Sequence, residues 1–268
     1  MQENHEARMT FYAWTTGRES RTTQIGFHIR CWLFGHRALF SRSTFLIRGM
    51  IVAVSLAVVL SVPGQSAPDA KEILDSVRML ESRQQIDLQG QLRQDDKVIP
   101  FHLLQNGPLI RYSFTNPDET LQLRLGEDSS RLDLVTGEGT EKVDASKLQE
   151  PIRGTIVTYG DLAFRFLYWT AARVLGQENV RTRKCWKLQL RAPSRESQYS
   201  NVLLWVDKAS GALMRMEGYN WDALLAKRFE VVSAQKIEGR WFLKQIRIEK
   251  LQPGTNHVLE RAYLEIKR

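Results

Sequence analysis

Short segments of alternating apolar and polar residues, separated by turn-forming residues, constrain the fold of this chain more than any other feature. In residues 185–191, Trp186, Leu188 and Leu190 alternate with charged or amide side chains. Alternation of this kind places the apolar side chains on one face of a strand. Turn residues such as Asn106-Gly107 recur at intervals of about ten residues, which predicts hairpin connections. The predicted strands cover residues 86–92, 98–104, 109–114, 121–125, 131–135, 185–191, 199–207, 213–219, 224–234, 241–250 and 258–267.

Two segments depart from the strand pattern and predict helices. Residues 69–83 have the apolar period of an amphipathic helix, and so do residues 158–169, which Thr158 is placed to cap. The polar residues 137–154 predict an exposed loop between the two groups of strands. The apolar faces comprise Ile73, Leu74, Val77 and Leu80 in the first helix and Leu162, Phe166 and Trp169 in the second.

The predicted fold class is mainly β, with a strongly curved antiparallel sheet that forms an open half-barrel. A sheet of roughly ten or more strands curls because strand twist accumulates. We expect the N-terminal helix and the mid-chain helix to cover the concave side, and they are too short to cover all of it. The exposed remainder predicts a cavity for an apolar ligand, whereas a fully packed core remains the alternative. The candidate cavity residues are Leu162, Phe166, Trp169, Trp186, Leu188, Leu204, Val206, Met214 and Met216.

An uncharged apolar run at residues 50–62 divides the chain. It follows Arg42 and Arg48 and is too short for a membrane-spanning helix, which needs about 20 apolar residues. We therefore interpret residues 50–67 as a secretory signal peptide and residues 68–268 as the folded domain, with an uncleaved signal-anchor as the alternative. Residues 1–49 form an arginine-rich leader without apolar periodicity, typical of an organellar targeting peptide or of a start codon assigned too far upstream.

Composition argues against several function classes. The leader contributes half of the formal net charge of +8, and the remaining basic residues alternate with acidic ones, so nucleic-acid binding is not expected. Only His102 and His257 follow the signal, without the spacing of metal ligands, so we expect no metal and no cofactor. Cys185 is the single cysteine there and predicts a small buried apolar residue. No nucleophile motif is present, which predicts a protein that is not an enzyme.

Several sequence segments in the second half of the domain resemble those of the bacterial outer-membrane lipoprotein-sorting proteins, relatives of the periplasmic carriers LolA and LolB. The resemblance rests on residues 158–169, 174–176, 184–188, 204–219, 227–231 and 241–246, in that order. It implies a periplasmic, non-catalytic carrier that holds the acyl chains of a lipoprotein or lipid in a hydrophobic half-barrel. It further implies a monomer that meets an inner-membrane transporter or export complex. The alternative use of the same fold is an RseB-like envelope-stress sensor or an accessory module of an export complex.

Overall fold

Thirteen strands form one antiparallel sheet in the computed structural model, which describes residues 68–81, 85–237 and 240–267. The predicted leader (1–49) and signal peptide (50–67) lie outside the described residues. In chain order the strands are β1 (Gln85–Gln94), β2 (Lys97–Asn106), β3 (Leu109–Phe114), β4 (Glu119–Leu125), β5 (Ser130–Thr136), β6 (Gly139–Lys142), β7 (Ala171–Val180), β8 (Arg183–Arg191), β9 (Asn201–Asp207), β10 (Leu213–Tyr219), β11 (Leu225–Ile237), β12 (Arg240–Leu251) and β13 (Val258–Lys267).

The strand order shows how the sheet is assembled. Strands β1 to β6 form one meander and β7 to β13 form a second, and the two are joined where β1 pairs with β13. The free edges are therefore β6 and β7, which are consecutive in the chain but do not pair. Residues 143–170 connect these two edges, and we call this segment the strap. The sheet is an open half-barrel, as the sequence pattern predicts.

The sequence pattern did not predict two of the strands, β6 and β7. Strand β6 falls inside the polar stretch that predicts a loop, and all four of its residues are exposed. Strand β7 has few large apolar residues, since Ala171, Ala172 and Gly176 are small, and a β-bulge between Val174 and Gly176 shifts its register against β8. Gly176 has a φ of 139°, a conformation that side chains other than that of glycine rarely tolerate. Both omissions lie at sheet edges, where burial on one face does not impose a regular pattern.

The N-terminal helix α1 (Ala70–Glu81) forms as its apolar period predicts. Ile73, Leu74 and Val77 are buried together on one face, and Leu80 is half-buried beside them. This face packs on the sheet within the core formed by β8, β9 and β10. Neither α1 nor any other helix in the described ranges is long and apolar enough to span a bilayer.

The prediction of one mid-chain helix over residues 158–169 is wrong, because the helix is interrupted. Helix α2 (Tyr159–Leu162) is followed by a separate 3-10 turn, Arg165–Tyr168. Phe164 between them adopts the left-handed backbone conformation, with φ of 49°. The apolar spacing of the segment satisfies a helix and a kinked pair of turns equally well, so periodicity could not distinguish them.

Gly90 on β1 provides a test of packing inside the half-barrel. A Cβ atom there would lie 2.5 Å from Cζ of Phe101 and 3.0 Å from the carbonyl oxygen of Glu265. We expect Gly90→Ala to lower the free energy of unfolding by about 1–3 kcal/mol through overpacking. Gly137→Ala is the control, since a Cβ there has no neighbour within 4 Å. Urea unfolding of both variants checks this, and equal midpoints would contradict the tight packing.

Candidate functional site

One face of the sheet carries two apolar cores. The first combines residues of β1 to β5, β12 and β13 with the strap residues Ile152, Val157 and Leu162. The second combines the apolar face of α1 with strands β8, β9 and β10 and with the 3-10 turn of the strap. Cross-strand partners share a face, and one register row links the two cores directly. This row runs Ala262, Ile248, Phe229, Met216, Leu204 and Leu188 from β13 to β8.

The structure brings most of the candidate cavity residues together in the second core. This core contains Phe166, Trp169, Leu188, Leu204, Val206 and Met216, and Trp186 packs at its border. Leu188 and Leu204 are completely buried beneath α1 and the strap. Leu162 lies in the first core instead. In this conformation the second core is packed, so these residues can line a ligand site only where α1 or the 3-10 turn moves away. That role remains a prediction.

Met214 does not join this group. A β-bulge between Leu213 and Arg215 shifts the register of β10 against β9. Met214 consequently packs with Trp205 and Cys185 in a small cluster. Trp205 alternates along β9 with Leu204, so this cluster lies on the opposite face. The placement of Met214 on the cavity face is therefore wrong, because simple alternation does not anticipate a bulge. Cys185 is completely buried, as predicted.

Half-buried apolar side chains at the border of the two cores form the candidate functional site. Phe164 of the strap and Phe229 of β11 each pack against both cores. Further half-buried apolar side chains adjoin the first core on the same face. We call the whole set the seam, and it comprises Phe164, Phe229, Leu88, Leu103, Leu134, Ile246 and Leu264. None of the seam residues was among the candidate cavity residues, because alternation within a strand gives no signal for partial accessibility.

The strap is attached to the first meander by polar contacts. The hydroxyl of Tyr159 donates to Oε1 of Glu119 on β4 at 2.8 Å, and the amide of Ile156 donates to Oε1 of Gln94 on β1 at 2.8 Å. Arg153 donates to the carbonyl oxygens of Thr115, Asn116 and Pro117 in the β3–β4 turn. Burial, with the charge and hydrogen bond of Glu119, raises the pKa of Tyr159, so its hydroxyl stays protonated as a donor.

The attachment to the second meander depends on one buried carboxylate, that of Asp161. Its oxygens accept from Nζ of Lys227 at 2.6 Å, from the Tyr199 hydroxyl at 2.8 Å and from Nε2 of Gln198 at 2.8 Å. Oδ2 also accepts from the amide of Thr158, while the Thr158 hydroxyl accepts from the amide of Asp161. This reciprocal pair is a capping box and starts α2 where the sequence predicts it.

The ammonium of Lys227 compensates the charge of Asp161 and offsets part of the desolvation cost of burying it. The side chain is 1% exposed and that of Lys227 is 10% exposed. Burial and the nearby charge of Asp161 raise the pKa of Tyr199 well above its ordinary value, so the phenol remains a neutral donor. A buried ion pair of this kind costs desolvation but becomes strongly destabilising once one partner is removed. The pair therefore holds the strap in one position on the second meander.

His102 and Glu178 each pair with a charged neighbour outside the strap. His102 contacts Asp87 at 2.6 Å, and Glu178 pairs with Lys187 at 2.8 Å. Hydrogen bonding from Lys187 lowers the pKa of Glu178, so it is not poised as an acid. No group of three or more histidine, cysteine, aspartate or glutamate residues suited to a metal ion occurs in the described ranges.

The open antiparallel half-barrel with a strap joining its edges is a LolA-like fold. Solved structures with this fold include a domain from Vibrio parahaemolyticus described as an outer membrane lipoprotein-sorting protein domain. It is 13% identical and covers 74% of this chain and 90% of its own, with a TM-score of 0.58. A LolA superfamily protein from Nitrosomonas europaea is 20% identical, covering 75% and 93%, with a TM-score of 0.53. The resemblance to LolA-like proteins is confirmed at the level of the fold.

Another solved structure has a similar fold, and a family model matches the second half of the chain. A DUF1329 family protein from Desulfovibrio piger is 17% identical, covers 75% of this chain and 92% of its own, and has a TM-score of 0.56. A family model described as an uncharacterized protein matches residues 136–268, which include the strap and the whole second meander. No curated protein matches the sequence.

Removing the ammonium partner of Asp161 tests its role. We expect Lys227→Met to lower the free energy of unfolding by about 3–5 kcal/mol, because the buried carboxylate loses its charge partner. Lys250→Met is the control: its ammonium pairs with Glu260 at 2.7 Å on the surface, where such pairs contribute about 0–1 kcal/mol. Denaturant unfolding measures both variants. Losses of similar size would contradict the central role of the Asp161–Lys227 pair.

Proposed function

We propose that this protein is a non-catalytic periplasmic carrier that holds the acyl chains of a lipoprotein or lipid at the seam. The single observation that carries the proposal is the set of half-buried apolar side chains on the inner face of the sheet, of which Phe164 and Phe229 lie between the two packed cores. Leu103 and Leu264 remain partly accessible on the inner face of the sheet although both pack against the first core. An apolar ligand gives this surface a partner.

The energetics of the seam suit an acyl chain. Burial contributes about 0.8 kcal/mol for each CH₂ group removed from water, so a long chain gains useful affinity without specific polar contacts. The seam residues belong to β1, β2, β5, β11, β12, β13 and the strap, so they are distributed over the inner face rather than confined to one strand. A flexible chain of methylene groups can follow such a surface, whereas a compact polar ligand would leave it exposed.

The strap suggests how the site opens. Its α2 part is held through Asp161. Its 3-10 turn is held by Arg78, which donates to the carbonyl oxygen of Leu167, and by the Tyr168 hydroxyl. We propose that the half-buried side chain of Phe164 between them changes position when acyl chains enter, while α2 and the 3-10 turn stay in place. In this proposal the strap is a cover that is anchored on both sides of one movable side chain.

Native mass spectrometry of protein purified from the periplasm tests the carrier function. We expect co-purified species with the masses of acylated lipids or lipopeptides. The alternative function, an envelope-stress sensor or export accessory on the same fold, predicts a bound protein partner and no retained lipid. Recovery of the protein in the cytoplasmic fraction would contradict the periplasmic part of the proposal.

Adjacent leucines on β2 provide a matched pair of variants. Leu103 is half-buried at the seam, whereas Leu104 is 38% exposed on the opposite face. We expect Leu103→Glu to weaken binding of a hydrophobic fluorophore, displaceable by fatty acid, by about tenfold or more, because a carboxylate opposes apolar contact. Leu104→Glu should leave the affinity unchanged.

The comparison requires that both variants are folded, which their unfolding midpoints establish on the same samples. Leu264→Gln on β13 gives a second change at the seam with a smaller electrostatic penalty. Equal fluorophore affinity for the Leu103→Glu and Leu104→Glu proteins would contradict the seam as the binding surface.

A further inference from the structure

A cleft of about 210 Å³ lies between the strap and the loop that connects β8 to β9. Phe166, Tyr168 and Trp169 of the strap form its aromatic side. Ser130, Ser194 and Ser197 contribute hydroxyl groups around it. Because Phe166 also belongs to the second core, the cleft adjoins the apolar interior while remaining open to polar groups. The seam does not account for this mixture of aromatic and polar side chains.

Two opposite charges line the cleft without neutralising each other. Arg165 and Glu196 are both exposed, and within the described ranges neither forms an ion pair. Arg195, by contrast, does not line the cleft, and its guanidinium lies 5.3 Å from the centre of the Trp221 ring. An arginine and a glutamate that line one small cleft without an ion pair are available to a ligand that carries both charges.

Hydrogen bonds and a cation–π contact hold the aromatic side of the cleft in place. The hydroxyl of Tyr168 donates to the carbonyl oxygen of Gly126 at 3.1 Å, and the guanidinium of Arg78 lies 5.0 Å from its ring centre. Ser130 donates to the carbonyl oxygen of Ala163 at 2.6 Å and so holds the strap against β5. An aromatic surface that is already in place can contact an ammonium group without further ordering.

We propose that this cleft binds the zwitterionic head group of a phospholipid, with Arg165 donating to the phosphate and Glu196 accepting from the ammonium. The inference rests on the proposed carrier function and specifies its ligand, since the ring of Phe166 in the cleft lies 6.1 Å, centre to centre, from that of Phe164 in the seam. Arg165 can offer two parallel N–H groups to a phosphate, which makes the contact directional. The aromatic side chains lie beside the ammonium.

The charge arrangement favours a zwitterion over a simple anion. An anionic head group gains from Arg165 but meets the carboxylate of Glu196 without compensation. A zwitterionic head group pairs with both side chains. Specificity of this kind arises from an unfavourable contact with the wrong ligand as much as from a favourable contact with the right one. The sequence contains both residues, yet they are 31 positions apart and only the fold places them in one cleft.

Short-chain lipids test the proposal by calorimetry below their micelle concentrations. We expect the full domain to bind dihexanoyl phosphatidylethanolamine about tenfold more tightly than dihexanoyl phosphatidylglycerol. Glu196→Gln should remove this preference by improving the phosphatidylglycerol affinity. Arg165→Gln should weaken both phospholipids and leave fatty-acid binding unchanged. Arg195→Gln, a neighbouring arginine that does not line the cleft, should change none of these affinities.

The outcomes separate this inference from the carrier function. Equal affinity of the unaltered protein for the two phospholipids, or an effect of Arg195→Gln equal to that of Arg165→Gln, would overturn the head-group site while fatty acid still bound at the seam. Tighter binding of a diacylated peptide than of phosphatidylethanolamine would also overturn it. Binding of glycerophosphoethanolamine without any fatty-acid or fluorophore binding would support the cleft and contradict the carrier function.

Discussion

The buried carboxylate of Asp161 is the interaction on which the rest of the architecture depends. Lys227, Tyr199 and Gln198 reach it from the second meander, and the capping box with Thr158 positions it at the start of α2. A buried charge must be paired and hydrogen-bonded, so this arrangement tolerates few alternatives. Because the strap is also tied to the first meander through Tyr159 and Ile156, it contacts both meanders through buried polar groups.

The open edge between β6 and β7 leaves the inner face of the sheet without a closing strand pair. In a closed barrel these strands would pair, and the inner face would fill with side chains. Here the strap joins the edges instead and packs on two cores, leaving half-buried apolar side chains at their border. Phe164 and Phe229 occupy that border. The proposed acyl site and the proposed head-group cleft are therefore both consequences of one segment that bridges the sheet without completing it.

Much of the fold could be predicted because the residues within a strand or helix carry a pattern that is specific to that element. Alternation identified most strands, the apolar period of α1 identified its buried face, and Thr158 identified the start of α2. The candidate cavity residues were correctly grouped where alternation is regular, as for Leu188 and Leu204, and incorrectly where a bulge intervenes, as for Met214. The half-buried state of the seam had no local signal at all, since accessibility depends on what packs above a strand.

The sequence by itself determined the mainly antiparallel sheet, the inward direction of its apolar side chains and the burial of Cys185, because these follow from side-chain alternation and hydrophobicity within single strands. Only the tertiary structure decided that the mid-chain helix breaks at Phe164, that β1 pairs with β13, and that Asp161 meets Lys227 across 66 residues. These features depend on contacts between distant segments, whose free energies no local pattern encodes.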